Sequence, residues 1–314
     1  MPQRRFPLGN LKNIHSLFGV YDENLKLIES LLGVKIYIKT DRIFIEGEAS
    51  AVEKASQALS FMKKELQNKG VIDKNDVINI LRFSSGDHNL QRKLQEETIE
   101  VFSKKKVIHP KTRGQLEYVK SIKEYDITFA LGPAGTGKTY LAMAMAVSSL
   151  RKGDVSRIIL TRPAREAGES LGFLPGNIQE KLDPYLRPLY DALYEMMEPD
   201  RIEEYIDTGV IEVAPLAYMR GRTLNSAFII LDEAQNCTSE QIKMFLTRMG
   251  FDSKIVITAD PTQSDLLGGK PIGLLEAVEV LKTISAIKFM YLTGEDVVRH
   301  HIVQQIIEAY EKRI

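Results

Sequence analysis

Eight consecutive residues constrain this chain more than any other stretch. Gly132-Pro133-Ala134-Gly135-Thr136-Gly137-Lys138-Thr139 satisfies G-x-x-x-x-G-K-[ST] at every fixed position. Its setting matters as much as its letters. The apolar run Ile127 to Leu131 reads as a strand before it, and a helical pattern from Lys138 to Ser149 follows without a spacer. Glycines let such a loop fold tightly, so that its backbone N–H groups face inward on phosphate oxygens. The helix N-terminus adds a partial positive charge. In that setting Lys138 reaches the β- and γ-phosphates and the Thr139 hydroxyl ligates Mg²⁺. The plainer alternative is a glycine-rich turn without a ligand, and the strand and helix on either side argue against it.

A second signal lies about one hundred residues on. Phe228-Ile229-Ile230-Leu231 is an apolar strand that ends in Asp232-Glu233. Asp232 is placed to hold Mg²⁺, directly or through water, and Glu233 to orient or deprotonate an attacking water. Adjacent strand residues point in different directions, so one acid can face the metal and the other the γ-phosphate. The competing reading is two acids favourably placed at a helix N-terminus. Asp260-Pro261-Thr262-Gln263 follows the strand Lys254 to Ala259. If that strand is parallel, Gln263 lies at the same sheet end, where it can sense the γ-phosphate or position water. The alternative is an ordinary Asp-Pro turn.

The rest of the chain supports an α/β fold. Further strands are expected at Arg157 to Thr161, Ile211 to Ala214, Ala227 to Leu231 and Ile287 to Leu292, with helices between them such as Ser239 to Met249. Short β-branched apolar runs alternating with helices predict a doubly wound, mostly parallel sheet buried on both faces. Leu141 to Val147 is apolar on all sides and reads as a buried helix.

The N-terminal part has a different rhythm. A short helix with Ile14, Leu17 and Phe18 is followed by a helix from Asn24 to Leu32, ended by Gly33. Strands at Val34 to Ile38 and Arg42 to Gly47 turn around Thr40-Asp41, and a helix from Ser50 to Leu66 follows, with Ser50 and Glu53 as a capping box. These patterns divide the 314 residues into a small α+β domain (1–66), a helical linker (67–106) and an α/β domain (107–314). The linker is expected to carry one helix on each side of Ser84-Ser85-Gly86-Asp87, and then the basic run Lys104-Lys105-Lys106. That run reads as a solvated linker or as a nucleic-acid contact.

Composition excludes several classes. Lysine plus arginine and aspartate plus glutamate both number 42, so the chain is not a wholly basic nucleic-acid binder. A single cysteine, Cys237, excludes an intramolecular disulfide framework and fits a reducing compartment. The adjacent His300 and His301 cannot share one helical face as metal ligands. No apolar stretch follows Arg4-Arg5, and no run approaches about 18 apolar residues, so neither a secretory signal nor a spanning helix is expected and the cytoplasm is the default location. No aromatic-rich stretch marks a base-stacking platform.

Taken together, the loop from Gly132 to Thr139, Asp232-Glu233-Ala234-Gln235 and Asp260 to Gln263 resemble a superfamily-one helicase core. With Thr161-Arg162-Pro163-Ala164, Gly172-Phe173-Leu174-Pro175-Gly176, Tyr218-Met219-Arg220-Gly221-Arg222 and Asp296-Val297-Val298-Arg299-His300 added, the chain looks like the PhoH-like protein family. The resemblance is strong over 107–314 and looser over the first 70 or so residues. It implies a P-loop NTPase (RecA-like) core that binds ATP with Mg²⁺ and hydrolyses it, with a link to RNA metabolism. Pro110-Lys111-Thr112-Arg113-Gly114-Gln115 looks like the adenine-reading motif of helicases, in which the Gln115 amide would meet both a donor and an acceptor of the base. The N-terminal block is similar to a KH domain, with Phe18 to Leu25 where that fold carries its nucleic-acid clamp. Here Gly19 is present, but the fourth position of the clamp is Asp22, which repels phosphate.

A single core lacks the inter-core cleft of paired-core helicases. A homo-oligomeric ring is therefore expected, with Arg299, or else Arg220, Arg222 or Arg162, serving as an arginine finger to a neighbouring site. The leading expectation is an ATPase coupled to RNA binding or remodelling. The alternative is a nucleotide-dependent switch that binds a protein partner such as an RNA-processing nuclease. A small-molecule kinase would leave Glu233 and Gln263 without a task.

Overall fold

A computed structural model describes residues 3–7, 17–39, 42–69, 72, 74–83, 88–103, 107–163, 178–264, 272–299, 302, 303, 306 and 310. Several expected features fall outside these residues: Ile14, the turn at Thr40-Asp41, Ser84 to Asp87, Lys104 to Lys106, Ala164, Gly172 to Gly176 and His300-His301.

Two compact units form, one from 1–93 with 299–314 and the other from 94–298. In the first, strand β1 (Gln3–Pro7) is followed by helix α1 (Glu23–Leu32), strands β2 (Lys35–Lys39) and β3 (Arg42–Glu46), and helices α2 (Ala49–Lys69) and α3 (Lys74–Phe83). The antiparallel sheet has the order β1-β3-β2. Period-two alternation sends Phe6, Ile43 and Ile45 into a core with Leu25, Ile28 and Leu59. The other face of the sheet is left to Arg5, Phe44 and Tyr37, which share one register row. Gly33 caps α1 in the left-handed conformation, its N–H donating to the Glu29 carbonyl at 2.9 Å.

Three expectations change here. Strand β1 has no strong local signal, since among its residues only Phe6 is buried; pairing with β3 recruits it. Helix α2 opens one residue before Ser50, and the Val52 N–H donates to the Glu48 carbonyl. Ser50 therefore sits inside the first turn and donates to the Glu48 carboxylate instead of capping. The segment expected to be a linker supplies Ile72, Val77 and Leu81 to the same core as α1 and α2, so α3 is part of this unit.

Helix α4 (His88–Glu96) contains the boundary between the units. The second unit begins before the expected Val107: β4 (Ile99–Glu100) pairs with β5 (Val107–Ile108), and Ile99 and Ile108 are buried in its core. There follow α5 (Arg113–Glu124), β6 (Ile127–Leu131), α6 (Lys138–Lys152), β7 (Arg157–Arg162), α7 (Ile178–Tyr194), α8 (Pro199–Asp207), β8 (Ile211–Pro215), β9 (Ala227–Leu231), α9 (Ser239–Leu246), β10 (Lys254–Ala259), α10 (Ile272–Leu281) and β11 (Ile287–Tyr291). Strands β6 to β11 form one all-parallel sheet in the order β11-β6-β10-β9-β7-β8.

The expected strands coincide with these to within a residue. β7 runs on to Arg162 because that residue stays in register with Pro215 of β8. α9 stops short of the expected Met249, which is drawn into a bridge with Leu224.

Alternation along the strands explains the two-sided burial. Ile158, Leu160, Phe228, Ile230 and Val256 face one core, which holds the fully apolar stretch of α6. Ile159, Ile229, Leu231, Ile255 and Ile257 face the other, with Ile242 and Phe245 of α9 and Leu274 of α10. Because every strand is parallel, the loops after β6, β10, β9 and β7 emerge together at one sheet edge. Among the described residues no helix is long and apolar enough to cross a membrane.

Phe228 is fully buried in the strand that carries Asp232. Phe228→Ala should lower the stability of the second unit by about 3–5 kcal/mol, measured as a shift of the denaturant midpoint.

Candidate functional site

The loop after β6 opens at Gly132, whose N–H donates to the Ala259 carbonyl at 3.2 Å. Its φ of 155° lies in a region that favours glycine, and a Cβ there would stand 2.3 Å from the Leu292 carbonyl oxygen. The loop therefore lies close against the segment after β11, and that segment holds it at a second point: the Val298 N–H donates to the Gly135 carbonyl at 2.9 Å. The Lys138 ammonium donates to the carbonyls of Gly132 and Pro133 at 2.6 and 2.9 Å, folded over the loop. The Thr136 hydroxyl donates to Pro133 at 2.9 Å.

Asp232, at the tip of β9, ties three elements together. Its Oδ1 accepts from the hydroxyls of Thr139, on the first turn of α6, at 2.6 Å and of Thr258, on β10, at 2.5 Å. Its N–H donates to the Thr161 carbonyl of β7 at 2.9 Å. Tyr118 of α5, fully buried, donates its hydroxyl to the Lys138 carbonyl at 3.1 Å. Burial, and then the Asp232 charge, pushes the Tyr118 phenol well above its ordinary range, so it keeps this proton.

Glu233 has φ 57° and ψ 40°, a left-handed conformation uncommon for a residue with a side chain. Its carboxylate is held from two sides. Oε1 meets the Arg162 guanidinium of β7 at 3.1 Å, and Oε2 accepts from the Gln235 side-chain amide. Gln235 then reaches the next strand tip, its Oε1 accepting from the Asp260 N–H at 3.0 Å. Asp260 Oδ1 accepts from the Thr262 N–H and hydroxyl at 3.0 and 2.6 Å, while its Oδ2 is buried without a partner. The Gln263 N–H donates to the Asp260 carbonyl at 3.1 Å. Lys138, Thr139, Asp232, Glu233, Asp260 and Gln263 line one cleft of about 280 Å³, together with Ala134, Gly135, Gly137 and Tyr140.

Gln115 stands elsewhere. It is buried outside the cleft lining, and both ends of its amide are engaged. Oε1 accepts from the Lys111 N–H at 2.7 Å, and Nε2 donates to the carbonyls of Thr136 at 3.1 Å and Asp296 at 3.4 Å. In this structure the Gln115 amide thus braces the loop from behind. Asp296 joins the same brace by accepting from Thr112 at 2.5 Å, and a Cβ on Gly114 would stand 2.5 Å from its carboxylate.

The arginines divide as well. Arg162 is paired within the chain to Glu233, and Arg222 makes two bonds to Glu212 at 2.5 and 2.7 Å. Arg220 is exposed and Arg299 half-buried. The sequence pattern assigns no role to Gln235, Asp260 or Tyr140, although Gln235 and Asp260 fall within the strand-tip motifs and Tyr140 directly follows Thr139, so position alone points to them.

The donor set fits Mg²⁺ beside a phosphate chain. That ion takes oxygen ligands and needs only one or two carboxylates from the protein. Asp232 and Thr139 meet this need, although among the described residues no three His, Cys, Asp or Glu side chains converge as a self-contained metal site.

Comparison with known proteins agrees with the expected family. The family model described as PhoH-like protein matches residues 107–311. A PhoH-like protein of Bacillus subtilis is 48% identical over 307 residues, covering 98% of this chain and 96% of the relative. A PhoH-like protein of Mycobacterium tuberculosis is 50% identical over 297 residues, covering 94% of this chain and 84% of the relative. Among solved structures, the Pyrococcus furiosus Hef helicase domain aligns with 59% of this chain and 38% of that chain, at 16% identity and a TM-score of 0.37. With the family model matching residues 107–311 and relatives near half-identical over 94–98% of the chain, the chain belongs to the PhoH-like protein family.

Proposed function

We propose that the chain is an Mg²⁺-dependent ATPase whose turnover is coupled to RNA binding or remodelling. The observation that carries the ATPase half is the convergence of Lys138, Thr139, Asp232, Glu233 and Gln263 on one cleft. Bound there, Mg²⁺ supplies neutralisation of charge on the phosphate oxygens. Backbone N–H groups of Gly135 to Thr139 cradle the phosphates, and Lys138 exchanges its loop carbonyls for the β- and γ-oxygens. Glu233 orients a water toward the γ-phosphorus and accepts its proton; the bond to the β-phosphate oxygen breaks, giving ADP and inorganic phosphate. Arg162 and Gln235 fix the direction of that carboxylate. Gln263 contacts the γ-phosphate or the water from the β10 tip.

The RNA half rests on the first unit, whose three-stranded antiparallel sheet, sharing one core with α1 and α2, supports the KH-like reading. A second reading, a nucleotide-dependent switch with a protein partner such as an RNA-processing nuclease, draws on the loop before α1. Val20 and Tyr21 are exposed there at 67% and 88%, next to the acidic Asp22. Turnover with and without RNA separates the two: stimulation supports the first, and an unchanged rate with no RNA retention at low salt rejects it. A single core lacks an inter-core cleft, so in this reading a ring of copies completes the site, with Arg299, or else Arg220, Arg222 or Arg162, reaching a neighbour.

Four outcomes are expected. Glu233→Gln should lower turnover about 10²- to 10⁴-fold while retaining ATP binding by titration. Arg162→Ala should lower kcat with KM little changed, and should add almost nothing in the Glu233→Gln background. Gln115→Ala should weaken ATP and GTP binding by the same factor, because it loosens the loop; a loss confined to ATP would restore base reading. Mixing inactive Lys138→Ala and Arg299→Ala chains should restore part of the turnover if the finger comes from a neighbour, and no recovery would reject Arg299.

A further inference from the structure

The open face of the first unit's sheet joins residues far apart in the chain. Arg5, Phe44 and Tyr37 lie side by side on β1, β3 and β2. The Tyr37 and Phe44 rings are stacked, 5.4 Å apart and within 4° of parallel, and the Arg5 guanidinium lies 5.9 Å from the Phe44 centroid on the next strand. This is a row of π systems across three strands. It ends at Tyr37, which is 39% exposed on an edge strand.

Cations surround the row. Lys35 and Lys39 share the face with Tyr37, each about 7 Å along the strand from it, and Arg42 shares a register row with Lys39. Among the described residues of the three strands, Glu46 is the one acid on this face. It accepts from the Tyr37 hydroxyl at 2.6 Å and from Gln3 at 2.8 Å, which fixes the ring upright.

We propose that this face binds single-stranded RNA, with a base stacked on Tyr37 at the open end of the row and neighbouring phosphates on Lys35 and Lys39. The inference rests on the RNA half of the function proposed above and names its surface. Stacking needs a rigid, exposed ring, and a backbone needs cations on both sides of it; the face supplies both. The helix-side loop offers Asp22 instead, which faces phosphate with the wrong charge. No local stretch of sequence is rich in aromatics, so the row becomes visible only when three strands are paired.

The test is binding of a fluorescein-labelled oligouridylate to the full chain, by anisotropy over a salt series, with thermal unfolding and RNA-free ATP turnover as folding controls. Tyr37→Ala should weaken binding about 5- to 150-fold, and Tyr37→Phe should keep most of it. Lys35→Ala with Lys39→Ala should reduce the slope of log affinity against log salt by about 1.4. Val20→Ser with Tyr21→Ser should leave binding unchanged. If the parent binds and Tyr37→Ala binds equally well, the RNA reading survives and this surface is rejected. If the parent does not bind at low salt, the RNA reading fails and the surface fails with it. If Tyr37→Ala changes the oligomeric state but not RNA affinity, the face is a contact between copies and the proposal is overturned.

Discussion

One carboxylate oxygen organises the phosphate-loop unit. Asp232 Oδ1 accepts from Thr139 and Thr258, so the first turn of the helix after β6, the tip of β9 and the tip of β10 meet at one atom. The Asp232 N–H adds β7 through Thr161. A buried carboxylate is costly unless it is hydrogen-bonded, and here two hydroxyls satisfy it. That compensation is available only if the strands run parallel in the observed order, because any other order would separate the donors. Burial of the strands on both faces, alternating between two cores, is what holds that order.

A second tier depends on this one. Glu233 follows Asp232 directly, and its carboxylate lies between Arg162 of β7 and Gln235, which in turn holds the Asp260 N–H. Four strand tips are therefore linked through side chains around the cleft. The loop itself is held from behind, by Gln115 at Thr136 and by Val298 at Gly135. The cleft thus has a front made of acids and a lysine, and a back made of neutral amide bonds.

Much of this was legible in the sequence. The six strands of the second unit are short apolar runs with β-branched residues, and burial on both faces leaves that mark directly. The phosphate loop and the acids at the strand tip are contiguous, so their chemistry is local. What was not legible arises from pairing across distance. Gln3–Pro7 has one inward apolar residue and becomes a strand only beside β3. Gln115 resembles a base-reading residue in its motif, yet its amide is turned on the loop, a fact about its neighbours that spacing cannot reveal. Arg162 reads as an exposed residue after a strand until β9 places Glu233 next to it. The Tyr37–Phe44 row is assembled from hairpin partners seven positions apart and completed by Arg5 near the chain start.

The backbone at Glu233 has a further consequence. A left-handed residue with a side chain costs on the order of 1 kcal/mol or more, and glycine would adopt the same torsions without that penalty. Position 233 is thus a place where the most comfortable amino acid for the scaffold and the one the proposed chemistry calls for are different. A stabilising screen blind to turnover would drift toward glycine there, yielding a sturdier molecule without the carboxylate proposed to activate water.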